Sequence, residues 1–369
     1  MSAIDPRGLA SRPFALEANK VAYLIEGGGL LPRFLGEDAG EGRAPSQLWI
    51  GSTVASALGA GQEGLSRLAA EEGGSSLKEL LESDPAAFLG EAHARRWGPN
   101  PAFLVKLLNS RDRLLVQVHP DKERARRHFG SEFGKTEAWY VIEAEEGALV
   151  HAGFKPGITR ELLREAILEG DSDRILGLLH AFEAGPGELL SIPAGLPHAL
   201  GSGSLVLEIQ EPTDITLRAE RRRPSGELLP EDFLHAGKGM EVLLDCFDLE
   251  GLDRAEARAR IFLEPRAGRS GAGWSETALL PPSPGACFSM RALELEPGAS
   301  YRSGEGGYAL ALVLSGRGSV EGGGRRLALG RGSELCLPHG LREYSYRAEG
   351  GLRLVECRPP AATDGGAAS

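Results

Sequence analysis

The stretch that most constrains the fold is Arg113-Leu-Leu-Val-Gln117-Val-His119-Pro-Asp-Lys122. In an extended strand side chains alternate faces, so Leu115, Gln117 and His119 share one side while Leu114, Val116 and Val118 occupy the other. One face is wholly apolar and calls for burial; the other ends in an amide and an imidazole. Downstream, Glu137 heads another strand-like run, and His198 closes the turn Ile192-Pro-Ala-Gly-Leu-Pro-His198. Two imidazoles, a carboxylate and an amide oxygen make a mixed nitrogen and oxygen set suited to a first-row divalent ion.

Further short apolar runs supply partners for such a strand: Val21–Ile25, Gln47–Gly51, Phe103–Leu108, 137–143, Leu189–Ile192 and Ser204–Gln210. In the last of these Leu205, Leu207 and Ile209 share one face and Ser204, Val206, Glu208 and Gln210 the other, so Glu208 needs solvent or a polar cavity. Lys106 interrupts an apolar run and must either snorkel to the surface or face a polar cavity. The chain is therefore expected to be mainly β. At 369 residues it exceeds the size at which one core keeps growing, so two domains are expected.

Helix signals are local. Ser76-Leu-Lys-Glu79 is a capping box ahead of Leu80 and Leu81, and Asp84-Pro85 with Gly90 marks another helix, so about 62–98 reads as a small helical insert. Thr159 caps a helix with Leu162, Leu163, Ala166 and Ile167 on one face, and Asp171–Leu179 holds a second. The division that results is an N-terminal domain over 1–225, a helical or irregular connection over 226–285, a second β domain over 286–360 and a disordered tail over 361–369. Residues 1–19 carry no clear periodicity, and Gly27-Gly-Gly29 reads as a hairpin turn with no helix opening after it. Gly134-Lys135-Thr136 copies the end of a phosphate-binding loop, but Phe129 stands where that loop needs glycine and a strand follows where it needs a helix.

A formal charge of −11 argues against a nucleic-acid partner. No apolar run approaches the roughly 18 residues of a membrane helix, and the opening Met-Ser-Ala-Ile-Asp-Pro is unlike a signal peptide, so a cytoplasmic setting is expected. The cysteines, Cys246, Cys287, Cys336 and Cys357, show no metal-ligand spacing and are expected as buried thiols. Arg221-Arg-Arg223-Pro reads as a solvated charge run at a domain edge, with a phosphate clamp as the other possibility. The remaining histidines, His93, His128, His151, His180, His235 and His339, find no partners at ligand spacing.

Gly187-Glu-Leu-Leu-Ser-Ile-Pro193-Ala-Gly195-Leu-Pro-His198 fits the second cupin motif, in which Pro193 and Gly195 make a tight turn that aims His198 into a jelly-roll cavity. Together with Phe103-Leu-Val-Lys106-Leu-Leu, Leu115-Val-Gln117-Val-His119-Pro-Asp-Lys122, Gly134-Lys135-Thr-Glu137-Ala-Trp139 and Thr213-Asp-Ile-Thr-Leu-Arg218, it resembles the type I mannose-6-phosphate isomerase family, in its short form. The sequence departs from the family's pattern at Gln47, where an acidic residue is common. The resemblance implies two cupin (jelly-roll) β-sandwiches, only the first carrying a metal. It implies one Zn2+ ion on Gln117, His119, Glu137 and His198, Arg218 and Lys135 as catalytic residues, and Lys106 and Glu208 toward the substrate. That substrate would be a phosphorylated hexose, converted between aldose and ketose by a monomer or homodimer. Two other classes are weighed against this one: a sugar-binding or regulatory cupin without turnover, and an iron-dependent oxygenase, which more commonly keeps an open facial triad.

Overall fold

The structure is a computed structural model describing residues 6–22, 25–38, 45–58, 62–224, 226–304 and 306–361. Its chain is mainly β, and its strands gather into three antiparallel sheets. A seven-stranded sheet runs in the order Phe262–Leu263, Leu189–Ile192, Glu137–Ala144, Ser204–Gln210, Leu104–Leu108, Gln47–Ile50, Lys20–Val21. Facing it, a five-stranded sheet runs Leu217–Arg218, Gln117–Val118, His198–Leu200, Leu149–Phe154, Leu179–Glu183. The third, nine-stranded, holds most of the chain beyond residue 266.

The period-two pattern decides where each core lies. Val206 joins Trp139, Val141, Val150, Leu190, Ile192 and Leu200 in the core between the first two sheets. Leu205, Leu207 and Ile209 point the other way, into a seam shared with Met290, Ala292, Leu310, Leu312 and Val355 of the nine-stranded sheet. Ser204–Gln210 is thus buried on both faces. The outer face of the five-stranded sheet, including Val116 and Val118, is covered by Leu163, Ala166 and Ile167 of the helix Arg160–Glu169 and by Leu243 and Leu244. The insert forms the helices Leu77–Ser83, Pro85–Leu89 and Glu91–Trp97, with Ser76 and Asp84 capping as their sequence signals ask. Among the described helices none is long and apolar enough to cross a membrane.

Several expectations are corrected. The connection over 226–285 is helical only in part: Phe262–Leu263 completes the seven-stranded sheet, and Arg266–Gly271 and Trp274–Leu280 form a hairpin on the nine-stranded one. Arg266–Gly271 is exposed along its whole length, so neither face needs apolar residues and no alternation marks it. Phe14–Ala15, in a stretch without periodicity, crosses to the second half of the chain to pair with Leu335 and Cys336. A helix, Leu30–Leu35, does open after Gly29, and Asn109 Oδ1 accepts the N–H groups of Leu30 and Leu31 at 3.0 and 3.1 Å. The strand expected over 113–119 is regular only at Gln117–Val118, because the Val116 N–H turns to the Glu220 carboxylate. The four cysteines are free, with Cys287 only half-buried. Tyr23 and Leu24 of the expected first strand, and all of the expected tail after Ala361, lie outside the described residues.

The seam has a tight point where Gly51 (φ 58°) meets Leu310: a Cβ at Gly51 would fall 2.3 Å from Leu310 Cδ2. Leu310→Ala is expected to cost about 2–5 kcal/mol of unfolding free energy, and Gly51→Ala a comparable amount through strain and overlap. In denaturant titrations the double variant should lose less than the sum of the two single losses. Full additivity would mean that the two residues do not press on each other.

Candidate metal centre

Register builds the centre. Across the seven-stranded sheet Trp139, Glu208, Lys106 and Trp49 are successive cross-strand partners. Across the facing sheet the same holds for His198, Gln117 and Arg218. Side chains in such a row share a face, so two rows of functional groups look at each other across the sandwich interior. The Trp139 and His198 rings meet edge to face at 5.4 Å.

Glu137 stands two residues before Trp139 and so shares its face. His119 follows Gln117 past the strand end and is held by Gly195, whose N–H donates to the His119 carbonyl at 2.9 Å. Gly195 takes φ 89°, a conformation glycine adopts without strain, and the turn it makes returns the chain to His198. One ligand atom from each of His119, Glu137 and His198 lies within 4.8 Å of the others, and all three residues are buried. His119 Nε2 is 3.1 Å from Glu137 Oε1, and His198 Nε2 is 3.8 Å from Glu137 Oε2. The Gln117 amide meets His198 Nε2 at 3.2 Å, and rotation about its last torsion presents its oxygen at the same point.

The donor set fits a cation. Nδ1 of His119 bonds to the Ile215 carbonyl at 3.0 Å and Nδ1 of His198 to the Leu196 carbonyl at 2.9 Å. Carbonyls only accept, so both Nδ1 atoms carry the proton and both Nε2 lone pairs face inward. Burial, with help from Lys135, pushes the His119 imidazole down to about 3, and burial likewise lowers His198. Burial alone would raise Glu137, but it is held well below its usual range, foremost by the Lys135 ammonium beside it. Neutral imidazoles around an ionised carboxylate are the metal-binding protonation state.

Beside the group, and sharing Gln117 and Lys135 with it, opens a cleft lined by Lys106, Glu208 and Arg218, among others. Lys135 Nζ reaches Glu137 Oε1 at 2.9 Å and His119 Nε2 at 3.3 Å. Lys106 faces this polar cavity and does not snorkel: it is 3% exposed, 3.5 Å from Glu208 and 3.9 Å from Asp214, over the Trp49 ring. Burial, then the neighbouring Glu137, raises Glu208 to about 7. The buried guanidinium of Arg218 stacks on Phe233 and donates to the Thr216 carbonyl. Gln47, the departure in the sequence, accepts the Trp49 indole N–H at 2.7 Å.

The structure thus gathers all eight site residues singled out in the sequence. Trp49 escaped that reading because only pairing across strands brings it in; Asp214 and Thr216 reach the cleft from the irregular Thr213-Asp-Ile-Thr stretch just ahead of Arg218. Arg221, Arg222 and Arg223 bond to their own turn, at Leu229, Gly226 and Glu227. His93 and His180 are buried against backbone carbonyls, and His128 pairs with Asp245.

Two facing antiparallel sheets with imidazole, amide and carboxylate groups converging inside define a cupin-type protein with a candidate metal site. Residues 45–154 match the model of the family described as phosphomannose isomerase type I, catalytic domain. The mannose-6-phosphate isomerase of Streptococcus mutans is 32% identical over 256 residues, 69% of this chain and 72% of that one. The crystal structure of the mannose 6-phosphate isomerase from Bacillus subtilis superposes with a TM-score of 0.74 at 23% identity, over 94% of this chain and all of that one. A zinc-bound mannose 6-phosphate isomerase gives 0.70 at 18% identity, over 95% and 100%. The chain belongs to the type I phosphomannose isomerase family.

Acid is the expected weakness of the centre. His119 has a folded-state pKa below the ordinary value near 6.5, so between about 6.5 and about 3 the unfolded chain binds more protons and stability falls as pH falls. The slope approaches about 1.4 kcal/mol per pH unit for this one group. Denaturant unfolding of chelator-treated protein from pH 7 to 4 should show that decline, flattened in His119→Gln. Equal slopes in both proteins would contradict the burial of a neutral imidazole.

Proposed function

We propose that the protein is a metal-dependent aldose–ketose isomerase that interconverts mannose 6-phosphate and fructose 6-phosphate through an enediol, with zinc as its ion. A cytoplasmic setting, a monomeric or homodimeric state and a non-catalytic role for 286–360 belong to the same proposal. The observation that carries it is the convergence of His119, Glu137 and His198 within 4.8 Å beside a cleft holding Lys106, Lys135, Glu208 and Arg218. Family membership narrows the reaction.

The conversion moves a proton between C1 and C2 while negative charge develops on their oxygens. An ion held by Gln117, His119, Glu137 and His198 would supply a Lewis acid and an orienting template for those oxygens. Arg218 is charged at every relevant pH and fixed by Phe233 and the Thr216 carbonyl, which suits it to stabilise the enediolate. Lys106 and Lys135 bring positive charge to an anionic sugar.

Glu208, raised to about 7, is poised to take and return the proton near neutral pH. Lys135 is the other candidate for that role. If Glu208 is the base, turnover rises with pH through about 7 and the rise vanishes in Glu208→Gln. Its persistence there, with loss in Lys135→Ala, would assign the proton to Lys135, and unchanged turnover in both variants would remove both assignments.

The direct test couples formation of fructose 6-phosphate from mannose 6-phosphate to a reporter enzyme, with and without chelator. Turnover that chelator abolishes and Zn2+ restores is the expected result; silence from protein shown to hold metal would overturn the proposal. In the same assay Arg218→Ala should lower kcat by about 100- to 1000-fold, the cost of removing a donor to developing charge, with a smaller change in KM.

A further inference from the structure

Trp139 is fully buried and uncharged, yet its indole N–H faces two carboxylates. Nε1 lies 3.2 Å from Glu137 Oε2 and 3.0 Å from Glu208 Oε2. An indole nitrogen donates and never accepts, so the one proton is shared between the two acids in a three-centre bond. The opposite oxygen of Glu137 faces Lys135 and His119, and that of Glu208 faces Lys106. The indole therefore stands between the carboxylate of the metal group and the carboxylate of the cleft.

Its ring cannot follow either acid if that acid moves. Trp139 is the cross-strand partner of Glu208 on one side and of Leu190 on the other, and it packs in the interior core with its edge toward His198. Two carboxylates in a dry interior repel, and without a shared donor they would draw back toward Lys135 and Lys106 respectively. The preference for the inward geometry comes from a rigid ring aimed at both.

We propose that Trp139 is a positioning residue that orients Glu137 toward the metal and Glu208 toward the substrate through this single shared hydrogen bond. The half that concerns Glu208 rests on the isomerase reading above; the half that concerns Glu137 rests on metal binding alone. The two halves make separate predictions. Loss of a hydrogen bond that orients a metal ligand weakens metal binding by about 10- to 100-fold, and this loss should not depend on residue 208. Misdirection of Glu208 lowers kcat with little change in KM, and this loss should disappear once residue 208 can no longer act.

The test replaces Trp139 with 3-benzothienylalanine, which keeps the shape of the ring and removes the donor, and separately with phenylalanine (Trp139→Phe). Each replacement is made in the natural protein and in Glu208→Gln. Zn2+ affinity is measured by competition with a chelator, and kcat and KM are then measured at saturating Zn2+. The expected result is a Zn2+ Kd raised about 10- to 100-fold in both backgrounds. With Glu208 present kcat should fall about tenfold or more at unchanged KM, with no further fall in Glu208→Gln. An unchanged Kd with the benzothienyl side chain would overturn the Glu137 half. A kcat loss of equal size in both backgrounds would overturn the Glu208 half, since loss of packing alone does not depend on the acid. If the unaltered protein turns over no sugar phosphate, the isomerase reading fails, and with it the Glu208 half; the Zn2+ titration still decides the other.

Discussion

The carboxylate of Glu137, shut away from water at 1% exposure, is the constraint on which the rest of the architecture depends. An isolated charge in a protein interior is costly, and breaking a buried pair by removing one partner costs about 3–5 kcal/mol. Here Lys135, two residues earlier, brings a positive charge to Glu137 Oε1 and the Trp139 indole a proton to Oε2, while His119 and His198 of the facing sheet turn neutral nitrogens toward the same carboxylate. Each must arrive in register. A slip of one residue in any of those strands would turn its side chains to the opposite face and leave the carboxylate uncompensated.

The nine-stranded sheet buries a carboxylate too, and resolves it differently. Glu356 is fully buried and accepts from Arg291 at 2.9 and 2.7 Å, from Tyr344 at 2.7 Å, from Tyr346 at 3.1 Å and from Arg358 at 3.0 Å. Its oxygens are saturated by donors, which leaves no lone pair for a cation. Between the seven- and five-stranded sheets two imidazole lone pairs face a carboxylate, an arrangement that a cation would complete. The same fold thus holds a closed polar network in one half and an open donor set in the other.

Much of this was legible in the chain. Alternation in Ser204–Gln210 placed Glu208 on the cavity face and Leu205, Leu207 and Ile209 on the seam, and Pro193 and Gly195 announced the turn before His198. The family resemblance, and not periodicity, pointed to Lys135. The sequence could not decide whether Lys106 snorkels, because that depends on Glu208 and Asp214 arriving from distant segments. Nor could it find Arg266–Gly271, an edge strand wet on both faces, or the two-residue crossover at Phe14–Ala15, since neither buries a periodic stripe. Trp139 was visible as part of the Gly134–Trp139 segment, but its role as a donor follows only from the register that sets it beside Glu208.

The central claim is that four side chains from separate strands and turns grip one ion. X-ray absorption at the zinc edge on the metal-loaded protein measures this directly. Two imidazole nitrogens and two oxygens at about 2.0–2.2 Å, with one imidazole lost in His119→Gln and the other in His198→Gln, is the spectrum the account predicts. A sulfur shell, or a first shell unchanged by either substitution, would place the ion elsewhere and contradict it.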